Sequence, residues 1–246
     1  MRKVLIASGC SWTDENFTTI HHPDMDCSWP KWPELLAEKL DMDYINLGEH
    51  GAGNEYIYSS LLHQIQSMDP DDIGLVIPAW TQAQRKDIKV RDVWQFLSPP
   101  RNELYSKSTK YYGDVAYRVQ ESIILFYSLQ EICKARDINI IQFQMLPLFR
   151  NSISDQYLDR LINSDNTLEL SLIQTIYDSP FLNDIDSTFI GWPTEDKLGG
   201  FNIQTGVINT HDDDGIVDYQ YMLSDLDNHP NAEGHTKIAE YLYDNI

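Results

Sequence analysis

The chain has 246 residues, enough for one domain with a substantial core. Its 18 Lys and Arg face 38 Asp and Glu, a formal charge of −20 that repels phosphate backbones and anionic membranes and so argues against nucleic-acid or membrane partners. Six Trp and fourteen Tyr are too many aromatics for a disordered acidic protein. The N-terminus has only four consecutive apolar residues, Val4 to Ala7, where a secretory core needs roughly 7–15. No run approaches the ~20 residues of a membrane span. A soluble protein is expected, cytoplasmic or released without a signal peptide, virion association included. Cys10, Cys27 and Cys133 are odd in number and widely spaced, so neither a disulfide framework nor a metal site is expected.

Val4, Leu5, Ile6 and Ala7 predict a buried parallel strand, ended by Ser8 and Gly9. Ser11 follows at the carboxyl end, where ligand and catalytic groups collect in open α/β sheets. Residues 14–32 are polar and aromatic. His21 and His22 are adjacent, and consecutive residues rarely converge on one metal ion, so this stretch reads as an active-site lip. A short helix is expected over Glu34–Leu40, with Pro33 in its first turn, then a strand over Tyr44–Asn46. The loop 48–53 holds three glycines without the Lys-Ser/Thr of a phosphate-binding loop, and suits an oxyanion hole better than a nucleotide cradle. Ile57, Leu61, Leu62, Ile65 and Met68 predict a helix capped by Asn54.

Ile73–Pro78 is the third expected strand, and Trp80, Thr81, Gln82 and Arg85 leave its carboxyl end. Residues 86–114 show no period and read as an insertion over the active face. The longest helix is expected over Val115–Arg136, and a fourth strand over Ile138–Gln144. Residues 147–225 form a second insertion with helical patches at Leu158, Leu161 and Ile162 and at Leu168, Leu172 and Ile176. Its His211-Asp-Asp-Asp-Gly215 lacks the alternating spacing of a calcium loop and reads as a solvated turn. Near the end, Asp227-Asn-His229-Pro230 precedes a helix that Asn231 caps and that Ile238, Ala239, Leu242 and Ile246 pattern.

A serine after the first strand, paired with an Asp-x-His-Pro before the last helix, resembles the SGNH hydrolases, or GDSL esterase/lipase superfamily. The family's Gly-Asp-Ser block is Gly9-Cys10-Ser11 here, with Cys10 as a packed, unreactive thiol in the aspartate's place. Its Asn-x-Gly-x-x-Gly block is similar to Asn46-Leu-Gly-Glu-His-Gly-Ala-Gly-Asn54. Its Gly-x-Asn-Asp block falls near Pro78-Ala-Trp-Thr-Gln82, without the asparagine. The last block is one residue short, so Leu226 stands at the usual aspartate position. The resemblance implies one three-layer α/β/α domain over 1–246, with a parallel, flavodoxin-like central sheet. It implies Ser11 as nucleophile, His229 as base, and Asp227, or failing it Asp225, as the orienting acid. Oxyanion donors would be the N–H groups of Ser11 and Gly51, with Asn54, Thr81 or Gln82 in place of the missing asparagine. Trp12, Trp80 and Arg85 are candidates to bind substrate, and no cofactor or metal is implied. The expected substrate is a small acyl ester on a glycan or other small polar molecule, while the oligomeric state stays open. A non-catalytic binding or structural module on the same fold, for example in a phage particle, is the competing reading.

Overall fold

The computed structural model describes residues 2–97, 115–148, 174–192, 201–209 and 219–246. Strand β1 (Val4–Ser8) sits centrally in a four-stranded parallel sheet with β2 (Asp43–Asn46), β3 (Ile73–Trp80) and β6 (Phe143–Gln144), in the order β2-β1-β3-β6. Alternate residues of a strand face opposite sides, and here both sides are buried. Leu5 and Ala7, with Leu75, Ile77 and Ala79, pack on α1 (Trp32–Lys39) and the C-terminal helix α4 (Ala232–Asp244) through Trp32, Leu36, Ile238 and Leu242. Ile6, Val76 and Trp80 face α2 (Asn54–Ser67) and α3 (Val115–Ala135), meeting Ile57, Leu61, Ile65, Val119, Ile123 and Phe126. The result is the α/β/α sandwich expected from the alternation of elements. Crossovers between parallel strands place helices on both faces, and the carboxyl ends of these four strands lie on one side.

Three local features differ from the sequence expectation. First, residues 86–97 form an antiparallel hairpin, β4 (Lys86–Val90) and β5 (Val93–Leu97), around the two-residue turn Arg91-Asp92. Arg91 adopts φ 56°, a conformation that turns usually reserve for Gly or Asn. Second, α2 is capped from outside. Gly53 is its N-cap, and the buried Asp87 carboxylate of the hairpin accepts the N–H groups of Gly53 (2.9 Å) and Tyr56 (2.8 Å). Burial and the nearby Glu55 carboxylate lift Asp87 to about 7. Third, the segment Ile138–Gln144 joins β3 only intermittently. Val76 donates to Asn139 (2.9 Å) and Ile141 to Val76 (3.0 Å), while its other edge is covered by Thr188–Ile190 and Asn202. The patches at Leu158 to Leu172, the end of the first insertion and the aspartate triplet 212–214 lie outside the described residues. Helix α4 ends at Asp244, before Ile246, which is exposed.

His235 joins α4 to α1. It is buried, and its Nδ1 accepts the Trp32 N–H (3.3 Å), so the ring must carry a lone pair there. Burial, aided by Lys31 and His229, pushes its pKa down to about 3. Between about pH 3 and 6.5 the unfolded chain therefore binds a proton that the folded chain does not, and stability rises with pH across that window. Unfolding free energy should fall by about 2 kcal/mol between pH 7 and 5 on this account. Denaturant melts at the two pH values check it, and a His235→Asn variant, which keeps an acceptor but cannot be protonated, should lose that part of the dependence.

Candidate active site

The strand β1 ends at Ser8, and the chain then turns sharply, with the N–H groups of Thr13 (2.8 Å) and Asp14 (3.1 Å) donating to the Cys10 carbonyl. This turn packs so closely that a Cβ on Gly9 would stand 2.2 Å from Thr13 Oγ1, which only glycine avoids. Cys10 is buried as a small apolar group, and Ser11 is projected towards the end of the chain. Ser11 Oγ lies 2.8 Å from His229 Nε2, although 218 residues separate them.

His229 is held from the other side by Asp227, whose Oδ1 is 2.5 Å from His229 Nδ1 and accepts the His229 backbone N–H at 3.2 Å. Asp227 is only 4% exposed. Burial is the largest single influence and pushes its carboxyl up, but the bonds from His229 and Thr19 together outweigh it and hold it well below the usual carboxylate range. An ionised carboxylate can only accept, so Nδ1 carries the ring proton and the Nε2 lone pair faces the Ser11 hydroxyl.

The two-residue separation of Asp227 from His229 follows from a tight turn. Ser224 Oγ accepts the N–H groups of Leu226 and Asp227 (3.2 Å each), and Leu223 N–H donates to the His229 carbonyl (2.9 Å). The turn rotates Leu226 outward, 70% exposed, and leaves Asp225 exposed as well. The carboxylate one place later reaches the ring instead.

Gly51 adopts φ 82° in the loop that follows β2, which suits glycine. Arg85 Nη1 donates to the Ala52 carbonyl (2.9 Å), bracing that loop from below, and Asp87 secures Gly53. Asn54 and Thr81 are both buried and hold each other. Asn54 Nδ2 donates to the Thr81 carbonyl (3.2 Å) and to Ser122 Oγ (3.0 Å), and Asn54 Oδ1 accepts the Thr81 N–H (2.9 Å). They clamp β3 to α2, and their amides are spent within the core. Gln82 accepts from Arg85 Nε at 3.4 Å.

The tryptophans proposed as a substrate platform are core residues. Trp80 is 0% exposed and donates from Nε1 to Gln142 Oε1 (3.0 Å). Trp12 is 2% exposed, its ring 6.2 Å from the His229 ring, and it supports that imidazole from behind. Large aromatics in an α/β core serve burial before stacking, and composition does not distinguish the two. The groups that do face His229 come from the lip and the glycine loop. The buried Phe17 lies 4.5 Å from the His229 ring, and the exposed His50 stacks on Phe17 at 6.0 Å. Partial desolvation of the ring against Phe17 and the proximity of His229 push His50 below its ordinary value. Phe17, Thr19 and His50 carry no sequence motif, and only their place in the lip and beside Gly51 hinted at a role.

His22 Nε2 meets Ser224 Oγ at 2.8 Å. Among the described residues, no three His, Cys, Asp or Glu side chains converge as a metal site requires, and no helix is long and apolar enough to cross a membrane.

Neither a scan of protein-family models nor a search of curated proteins finds a match. Solved structures do resemble the chain. One is a protein from Desulfitobacterium hafniense DCB-2 described as lipolytic and of the G-D-S-L family, at 13% identity over 99% of each chain and a TM-score of 0.49. Another is a carbohydrate esterase family 2 enzyme with a carbohydrate-binding domain from Corynascus thermopiles (Myceliophthora fergusii), at 14% identity over 98% of this chain and 64% of that one, TM-score 0.46. A third is a variant of an acetyl xylan esterase from Geobacillus stearothermophilus, at 12% identity over 99% of this chain and 94% of that one, TM-score 0.44. Each of the three is described as an esterase or a G-D-S-L family protein.

Proposed function

We propose that this chain is a serine hydrolase of the SGNH type that cleaves an acyl ester through Ser11, His229 and Asp227. The observation that carries the reading is the continuous chain from Ser11 Oγ through His229 to the buried Asp227, with spacings of 2.8 and 2.5 Å. A binding module has no need of a base aimed at a serine hydroxyl, which favours catalysis over the structural alternative.

Serine is a weak nucleophile until a base removes its proton. Ser11 Oγ would attack the ester carbonyl carbon while His229 Nε2 takes the hydroxyl proton. The oxyanion would form against the N–H groups of Ser11 and Gly51, donors of a kind worth about 10²–10³ in rate each. His229 then returns the proton to the leaving alcohol oxygen as the C–O bond breaks, leaving an acyl-Ser11. Water, deprotonated by the same nitrogen, attacks the acyl carbon and releases the acid with Ser11 restored. Asp227 stays ionised throughout and stabilises the imidazolium.

An acyl group on a neutral glycan or a small polar molecule fits the surroundings best. The net charge of −20, with Asp14 and Glu49 beside the site, opposes an anionic substrate. Hydrolysis of p-nitrophenyl acetate and of an acetylated neutral oligosaccharide tests the reading. Turnover of both above a Ser11→Ala blank supports it, and turnover of neither sinks it.

A further inference from the structure

The acid of this site is gripped by a residue of the lip. Thr19 is buried, and its Oγ1 hydrogen-bonds Asp227 Oδ2, the oxygen that His229 does not use. The His21 N–H donates to the same Thr19 oxygen (3.1 Å), occupying a lone pair. A hydroxyl has one proton, and the ionised Asp227 has none to offer, so the Thr19 O–H must point at Oδ2. A second contact ties the same stretch to the acid's turn. His22 Nε2 meets Ser224 Oγ, the atom that receives the N–H groups of Leu226 and Asp227.

We infer that Thr19 is a positioning residue, which fixes the plane of the Asp227 carboxylate so that Oδ1 stays in line with His229 Nδ1. The inference rests on the hydrolase reading above and adds a dependence that the triad alone lacks. The tight turn sets the Asp227 backbone, and His229 holds only Oδ1, through its Nδ1–H and its backbone N–H. A donor on the second oxygen removes the remaining rotation, and in this buried place water does not substitute for it. The lip thereby couples to the chemistry from the far side of the acid, without touching Ser11.

The test compares Thr19→Val, which keeps the shape without the hydroxyl, with Thr19→Ser, which keeps the hydroxyl. For Thr19→Val, kcat on p-nitrophenyl acetate should fall by about 10- to 100-fold, the range of one hydrogen bond to a charged group, with KM unchanged. Proton NMR supplies a readout independent of turnover. The downfield His229 Nδ1–H resonance, assigned by its loss in His229→Gln, should broaden or vanish in Thr19→Val and persist in Thr19→Ser. Thr19→Ala gives the same comparison if the valine variant proves unstable by thermal melting. The inference is overturned if the hydroxyl-free variant keeps both kcat and the resonance, if only one of the two changes, or if Thr19→Ser is as impaired as Thr19→Val. A wild-type protein that hydrolyses no ester defeats the hydrolase reading, while the resonance still decides whether Thr19 orients the Asp227–His229 pair.

Discussion

Changing Ser11 to alanine should lower ester turnover by about 10⁴-fold or more while the fold survives. The side chain is small and sits at the edge of the core, so its loss removes one hydroxyl and leaves no sizeable cavity. Every covalent step above passes through Ser11 Oγ, which is the oxygen 2.8 Å from the base. Residual turnover would come from the oxyanion N–H groups and from binding alone. Thermal melts alongside steady-state kinetics would show an unchanged unfolding temperature with lost activity. A Ser11→Ala variant with near wild-type turnover would move the nucleophile elsewhere.

The second large effect concerns the acid. Asp227→Asn should cost about 10⁴ in kcat, because an amide donor opposite Nδ1 favours the wrong imidazole tautomer and removes the charge that balances the imidazolium. It also confronts the Thr19 hydroxyl with a neutral partner. Asp225→Asn should leave kcat within twofold, as Asp225 is exposed and it is Asp227 whose Oδ1 meets His229 Nδ1. Kinetics of the two variants at pH 7 separate the assignments. Loss in Asp225→Asn with retention in Asp227→Asn would reverse them, and retention in both would leave a Ser-His dyad.

Much of this architecture is legible in the chain, for reasons that differ by element. Val4 to Ala7 declares a strand because it is a short, β-branched apolar run ended by Ser8 and Gly9, as suits a central parallel strand buried on both faces. Asn231 declares the start of α4 through its own side chain, which accepts the Gly234 N–H (2.9 Å). Asn54 misleads by the same rule. It has the residue type of a cap, but a carboxylate 33 residues downstream takes that task and frees its amide for Thr81. The hairpin at 86–97 escapes notice because its turn, Arg91-Asp92, lacks the usual glycine or asparagine and its inward side chain is an aspartate.

Site residues divide in a similar way. Ser11 and His229 stand in short motifs at fixed places relative to a strand and a helix, so the fold's topology brings them to the same end. Asp227 could be weighed against Asp225 only by turn geometry, which depends on the Ser224 side chain. Thr19 meets Asp227 across 208 residues, and no local pattern announces such a contact. Trp12 and Trp80 show the converse, since abundant aromatics near a motif do not reveal which of them the core absorbs.

Covalent labelling with diethyl p-nitrophenyl phosphate, followed by intact and peptide mass spectrometry, reads the activation of Ser11 itself. An activated serine attacks phosphorus, expels p-nitrophenolate and keeps the diethyl phosphoryl group, whereas an ordinary surface hydroxyl does not react. One adduct per chain is expected, on the peptide containing Ser11, absent in Ser11→Ala and far slower to form in His229→Gln. An unlabelled wild-type protein, or a label on any other residue, would contradict Ser11 as the nucleophile.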